Sequence, residues 1–402
     1  MNILHVIGSM NPSTGGPCQG LRNSIPELEK LGIHREVVSL DDPGASFLGK
    51  DSFPIHALGP GKGPWCYSAK LIPWLVQNLE RFDVVIVNGL WLYHGYAVKK
   101  ALYQFKSKKS GQKLPELFVM PHGMLDPYFQ KASGRKLKAL RNWVYWKTIE
   151  SKIVNSADGL LFTCEEELRL ARVPFRPYRP KKEVNVSYGI ATPPAASEAS
   201  RMAFAGKCPE LGDEPYLLFL SRIHNKKGTD LLLQAYKLLL EEPGIDINSI
   251  PKLVIAGPGL ETRYGKRLEK IVAETPILAD RVFFPGMLSG DAKWGAFYGC
   301  EGFILPSHQE NFGIAVAESL ACSKPVLISD QVNIWREIIQ AGSGIVAPDT
   351  LEGTLELLKT WVALPAKEKS RMGVKAKQTF EGHFAVGPAS LLFLQGIAQG
   401  LT

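Results

Sequence analysis

The chain has 402 residues, 45% of them hydrophobic and 21% charged, which is a globular composition too long for one ordinary core. No apolar run approaches the ~20 residues that span a bilayer. The net charge of +8 suits nucleic acid, anionic lipid or phosphorylated small molecules, and the absence of zinc-finger spacings and RNP motifs sets nucleic acid aside.

Strand and helix signals alternate from the start. Residues 3–7 form a short apolar run ending at Gly8. The N-terminus lacks a basic region and a small-residue cleavage site and reads as a buried strand, from which a cytosolic location is expected. A Gly/Pro-rich loop leads to a helix over 18–31, stopped by Gly32. Residues 35–40, 83–88, 117–120, 159–163 and 184–188 read as further strands. Continuous apolar strands separated by helices indicate a parallel sheet covered on both faces. Residues 191–215 are rich in Ala, Pro, Ser and Gly without periodicity and read as a linker.

The pattern then restarts. Strands are expected at 216–220, 252–256, 281–284, 302–305, 325–329 and 343–346, with a helix over 229–240. The fold class is therefore α/β, with two doubly wound, Rossmann-like domains and an interdomain cleft, and the motifs should lie in loops after strands. Six scattered cysteines without a C-x-x-C pair read as reduced thiols, mostly in core packing.

The most informative segment is Ser307-His-Gln-Glu310-Asn-Phe-Gly313-Ile-Ala-Val-Ala-Glu318-Ser-Leu-Ala-Cys-Ser-Lys-Pro325. It runs from a strand end through a polar loop into a helix beginning near Gly313. Free N–H groups at a helix start attract anions and hydroxyl oxygens. Two carboxylates, one before the helix and one inside it, suit bidentate hydrogen bonding to polyols. On spacing alone, Glu310 also reads as a capping acid and Glu318 as a solvated surface residue. Arg222 and Lys227, five residues apart on a loop closed by Gly228, can clamp a diphosphate or simply form a solvated basic loop.

The first segment closely resembles the E-x7-E motif of the retaining glycosyltransferases of family 4, which have the GT-B fold, and Arg222, Lys227 and Gly228 match that family's R-x4-K-G. The resemblance implies that Glu310 holds the transferred sugar, that the amides of Asn311, Phe312, Gly313 and Ile314 bind sugar and phosphate, and that Glu318 binds the ribose. Arg222 and Lys227 would neutralise the leaving diphosphate. Gly257-Pro-Gly259 resembles the family's G-x-G turn, although alone it is a plain tight turn. The backbone at Met287 and Leu288 would meet the base. Gly15 and Gly16 resemble the paired-glycine loop facing donor phosphate and acceptor, and His122 would contact the transferred sugar. Asn88, His94 and Asp126 lie near strand ends, where an acceptor could meet them.

No D-x-D pair, G-x-x-x-x-G-K-[ST] loop or G-x-S-x-G elbow occurs, so no metal or other cofactor is expected and kinase and hydrolase readings lose support. The expected activity is retaining hexosyl transfer from a nucleoside-diphosphate sugar, UDP-glucose on the family's commonest usage. The acceptor would be a hydroxyl of a saccharide or lipid-linked saccharide in polysaccharide or glycolipid assembly, as in similar bacterial exopolysaccharide and envelope enzymes. A sugar-nucleotide-binding scaffold and a sugar-nucleotide epimerase are the alternatives. Domain limits are expected at 1–190, completed by a returning helix over 384–402, and at 216–383 for donor binding. Basic residues interleaved with Trp143, Tyr145 and Trp146 over 131–152 suit peripheral contact with an anionic membrane, or a solvated helix with its aromatics in the core.

Overall fold

The computed structural model describes residues 1–108, 111, 113–131 and 135–398. It divides into two units: Met1–Gly189 joined by the chain from Val386 on, and Ile190–Ala385.

Among the described residues, the first unit holds a seven-stranded parallel sheet in the order β3-β2-β1-β4-β5-β6-β7. Its strands are β1 Asn2–Ile7, β2 His34–Ser39, β3 Ile55–Ala57, β4 Val84–Asn88, β5 Glu116–Met120, β6 Gly159–Phe162 and β7 Glu183–Asn185. Every residue of β4 and β6 is buried, which is why they read as unbroken apolar runs. Alternate β1 residues feed different faces. Leu4 and Val6 join the cluster under helices Leu71–Asn78 and Tyr93–Lys108, whereas Ile7 joins the one under helix Gly16–Glu29. That helix buries Cys18, Leu21, Ile25 and Leu28, a stripe at three- and four-residue spacing. Each fully buried aliphatic side chain contributes about 1.5–3 kcal/mol. The short edge strand β3 escapes a sequence reading because none of its residues is fully buried.

The C-terminal helix, Val386–Ala398, completes this unit rather than the second. It buries Ala389, Phe393 and Ile397 at four-residue spacing, and Lys182 Nζ donates to the Gly396 carbonyl at 3.2 Å. Phe384 stays with the second unit, its ring edge-on to Phe312 at 5.4 Å. Residues 399–402 of the expected returning helix lie outside the described residues.

The second unit holds a six-stranded parallel sheet in the order β10-β9-β8-β11-β12-β13. The strands are β8 Tyr216–Leu220, β9 Lys252–Ala256, β10 Val282–Gly286, β11 Gly302–Leu305, β12 Val326–Ser329 and β13 Gly344–Ala347. The stretch expected as a linker at 191–215 instead belongs to this unit and carries a helix of its own. Ser197 caps helix Glu198–Ala205, which packs on helix Gly290–Gly299. Its Phe204 is buried 5.5 Å from the Tyr216 ring. The partner helix supplies the glycine that lets the two approach, since a Cβ at Gly295 would sit 2.0 Å from the Ser200 carbonyl oxygen. All six cysteines are free, and five are buried.

A π-helical turn, Trp146–Glu150, interrupts the helical run that starts at Lys136 and buries the Glu150 carboxyl. Burial pushes that carboxyl from an ordinary 4.5 up to about 8, against the Trp91 backbone N–H that favours the charged form. The folded chain thus keeps a proton that the unfolded chain has lost, and this cost grows as pH rises from 4.5 towards 8. Glu150→Gln is expected to raise the unfolding temperature, by more at pH 8 than at pH 5. Equal gains at both pH values in calorimetry would contradict a buried, protonated Glu150.

Candidate functional site in the second unit

In an open parallel sheet, the loops at the carboxyl ends part where the strand order reverses. Here that point lies between β8 and β11, the two strands followed by the Arg222–Lys227 loop and the Glu310 loop.

The β8 loop closes in a short turn, Asn225–Lys227, whose start is capped by His224 accepting from the Lys226 N–H. The Lys226 carbonyl then accepts from the His308 N–H at 2.8 Å and the Ser307 hydroxyl at 3.1 Å. On its other side, the Glu310 loop is tied to the chain after β12. The Glu310 N–H donates to Gln331 O at 2.9 Å, and the Asn333 N–H donates to Glu310 O at 3.0 Å. Three loops are thereby locked together by main-chain bonds, with Glu310 in the middle.

Their approach is close enough to dictate residue type. A Cβ at Gly228, where φ is +68°, would lie 2.0 Å from Pro306 O, and one at Gly257, where φ is +143°, would lie 1.9 Å from Ser221 O. Both positions combine a left-handed backbone with no room for a side chain. Gly257 is thus a point of backbone contact rather than only a tight turn.

The structure brings Lys227 and Glu310 into a salt bridge, with side chains only 12% and 23% exposed. Such a pair is less screened than a surface ion pair, and removing one partner leaves the other poorly solvated. Arg222 stays exposed on the same loop. Gly313 is left-handed and starts helix Ile314–Ala321, and the Phe312 ring is buried against Phe384, so only its backbone faces outward chemistry. Glu318 sits within that helix and accepts from Lys293 Nζ at 2.6 Å. Burial pushes its carboxyl above the usual range, opposed by the Lys293 ammonium. Lys293 itself lies 4.6 Å over the Trp294 ring. Nothing in the local sequence singles out Lys293; only the packing of helix Gly290–Gly299 brings it to Glu318. After β10, Met287 is exposed and the Leu288 side chain is buried.

In the first unit, Gly15 is left-handed before the helix that Gly16 begins, and the Tyr188 hydroxyl donates to Gly16 O. His122 has φ +53°, unusual for a non-glycine residue, and lies 3.1 Å from the Asn88 side chain. Buried His94 donates to Asn88 O, and Asp126 accepts from the Tyr128 N–H, so both already serve local structure. Among the described residues, no three His, Cys, Asp or Glu side chains converge in a metal-holding group.

Residues 15–189 match the family described as Glycosyl transferase 4-like domain, and residues 204–379 match Glycosyl transferases group 1. Glycosyltransferase family models thus match each unit, and two parallel-sheet, Rossmann-like units are the GT-B fold. Among curated relatives, a D-inositol 3-phosphate glycosyltransferase of Kineococcus radiotolerans is 26% identical over 243 residues, 58% of this chain and 55% of that protein. A GDP-mannose-dependent phosphatidylinositol dimannoside mannosyltransferase of Mycobacterium tuberculosis is 30% identical over 41% of this chain and 40% of its own length. The chain thus spans about half the length of the curated relatives it matches, or less. Likeness to solved structures covers nearly all of it. Sucrose-phosphate synthase from Thermosynechococcus elongatus superposes with a TM-score of 0.71 at 20% identity, over 99% of both chains. Anabaena HepE, solved with UDP-glucose, gives 0.74 at 16% identity, over 99% of this chain and 100% of that one.

Because Gly228 and Gly257 have neither space nor a permissive φ for a side chain, Gly228→Ala is expected to destabilise the second unit by at least about 1–3 kcal/mol. Denaturant unfolding checks this; an unchanged midpoint would mean the loops are not held as described.

Proposed function

We propose that the chain is a retaining, metal-independent hexosyltransferase that moves a sugar, UDP-glucose being the leading donor, from a nucleoside diphosphate to a hydroxyl acceptor in polysaccharide or glycolipid assembly. The reading rests on the family 4 resemblance of the Ser307–Pro325 segment, and the observation that carries it is the Lys227–Glu310 pair at the sheet's switch point. In this reading, Glu310 orients the transferred sugar, and the amides of Asn311 to Ile314 hold sugar and phosphate. Glu318, steadied by Lys293, takes the ribose hydroxyls. Lys227 is held beside Glu310 until a diphosphate competes for it. Together with exposed Arg222 it stabilises the charge that builds on the leaving group, work that a metal would otherwise do. The family resemblance assigns Gly15, Gly16 and His122 to the donor phosphate and the sugar, and attack comes from the face the diphosphate leaves.

The first test is a donor panel of UDP-, GDP- and ADP-sugars scored by thermal shift and hydrolysis, with and without EDTA. UDP-glucose should give the largest response, unaffected by EDTA. A larger response to GDP-mannose would reassign the donor, and loss of turnover in EDTA would remove metal independence. Glu310→Ala should lower kcat by about 10²–10³-fold, the scale of one lost polar contact to a reacting centre. An intact rate would remove Glu310 from its role.

The lipid side of the reading draws on the helix Lys136–Tyr145. Its Leu137, Leu140 and Trp143 are 85%, 59% and 51% exposed, while the Tyr145 ring turns inward, 6.3 Å from the Trp65 ring. Lys136, Lys138, Arg141 and Lys147 flank this apolar stripe, a combination suited to an anionic membrane surface. Residues 132–134 of the expected basic stretch lie outside the described residues. Sedimentation with vesicles should show stronger binding to anionic than to neutral lipid, and Leu137→Ser with Trp143→Ser should abolish it. Equal binding to both vesicle types would rule the surface out.

A further inference from the structure

Four adjacent strands of the first unit each contribute, from the strand or the loop after it, one side chain to an unbroken line across the sheet: Arg35 of β2, His5 of β1, Asn88 of β4 and His122 after β5. Arg35 Nε donates to His5 Nε2 at 2.9 Å, and an Arg35 terminal nitrogen contacts the same atom. The Asn88 amide lies 3.1 Å from His5 Nδ1 and 3.1 Å from His122 Nε2. Arg35, His5 and Asn88 are all buried. A cavity of about 50 Å³ runs along the line, with Ser24, Tyr188 and Phe393 also on its wall.

The chemistry of the end group sets the direction of every bond. Guanidinium has only N–H donors and no acceptor, so His5 Nε2 must accept. A neutral His5 then carries its proton on Nδ1 and must donate to the Asn88 amide oxygen. That turns the Asn88 amide nitrogen towards His122 and gives up its 3.2 Å bond to Ile86 O. The opposite orientation would require two bare nitrogens on His5. His122 Nε2 must therefore accept in its turn.

We propose that Arg35, acting through His5 and Asn88, is a positioning residue that holds His122 as the neutral tautomer with its proton on Nδ1. Resting on the reading of His122 as a sugar contact, this makes it a hydrogen-bond donor to the sugar and not a base. The charged groups around the line are few: Arg35 and His122 act on His5, and Glu29 acts on Arg35. Burial alone brings His122 down to about 4, in keeping with a neutral ring at pH 6–8.

The test is long-range proton–nitrogen correlation on the full chain with ¹⁵N-labelled histidine, with His122 assigned by the signals lost in His122→Asn. The expected pattern is a protonated Nδ1 and bare Nε2 from pH 6 to 8. A bare Nδ1, or a doubly protonated ring, overturns the proposal. Arg35→Lys keeps a donor-only group and should keep the tautomer. Arg35→Gln can accept or donate; it should mix the two tautomers and lower kcat about tenfold with the donor KM unchanged, the scale on which outer partners of a functional histidine act. A folded Arg35→Gln chain with His122 unchanged also overturns the proposal, and if that variant does not fold, the native spectrum decides alone. The spectrum needs no turnover. Failure of every sugar nucleotide would sink the transferase reading without touching the tautomer, and a wrong tautomer in an active enzyme would sink only this inference.

Discussion

Strands buried on both faces leave no room for chemistry along their length, and everything polar is driven to their ends. Each sheet here is wholly parallel, so those ends gather on one edge. Where the strand order reverses, neighbouring loops separate and a ligand can reach backbone and side chains together. In the second unit that place is held open by contacts with almost no tolerance. The loops after β8, β9 and β11 meet backbone to backbone at Gly228 and Gly257, and main-chain bonds from Lys226, Gln331 and Asn333 fix the Glu310 loop between its neighbours. The carboxylate is positioned by the folding of the sheet and not by its own side-chain freedom.

Charge in this molecule follows the same geometry. The two carboxylates of the E-x7-E segment sit in half-buried ground, and each is met by a lysine from another loop or helix: Lys227 for Glu310, Lys293 for Glu318. Burying an acid without such a partner costs several kcal/mol, and each lysine offsets part of that cost. The first unit solves the problem differently. Its buried Arg35 hydrogen-bonds to the neutral partners His5 and Ser24, and its fixed polarity travels through His5 and Asn88 to His122.

Much of the fold could be read from the chain. Runs such as Leu217–Leu220 and Val84–Val87 are apolar on both faces, and only a covered parallel strand needs that. The reading failed where small residues have two uses. Ala, Ser and Gly over 191–215 look like a flexible linker, yet the stretch holds helix Glu198–Ala205, which buries Ser200 and Phe204 against its own unit. Strand β3 was missed because a three-residue, half-exposed edge has no pattern to detect. Glu310, Glu318, Arg222 and Lys227 were singled out by the family resemblance of their motifs, since spacing alone also allowed a capped helix and a solvated basic loop.

The sequence by itself determined the two parallel sheets, the loops that carry polar residues and the glycines those loops require, because periodicity and backbone conformation are local properties. Tertiary structure alone decided which charges meet. Lys227 and Glu310 are 83 residues apart and Lys293 and Glu318 are 25 apart, and no local pattern encodes either pairing. The line from Arg35 to His122 depends on strand order, which places β2, β1, β4 and β5 side by side. A side chain's neighbours across a sheet follow from how the strands are shuffled, and that shuffling is set by the packing of the whole domain.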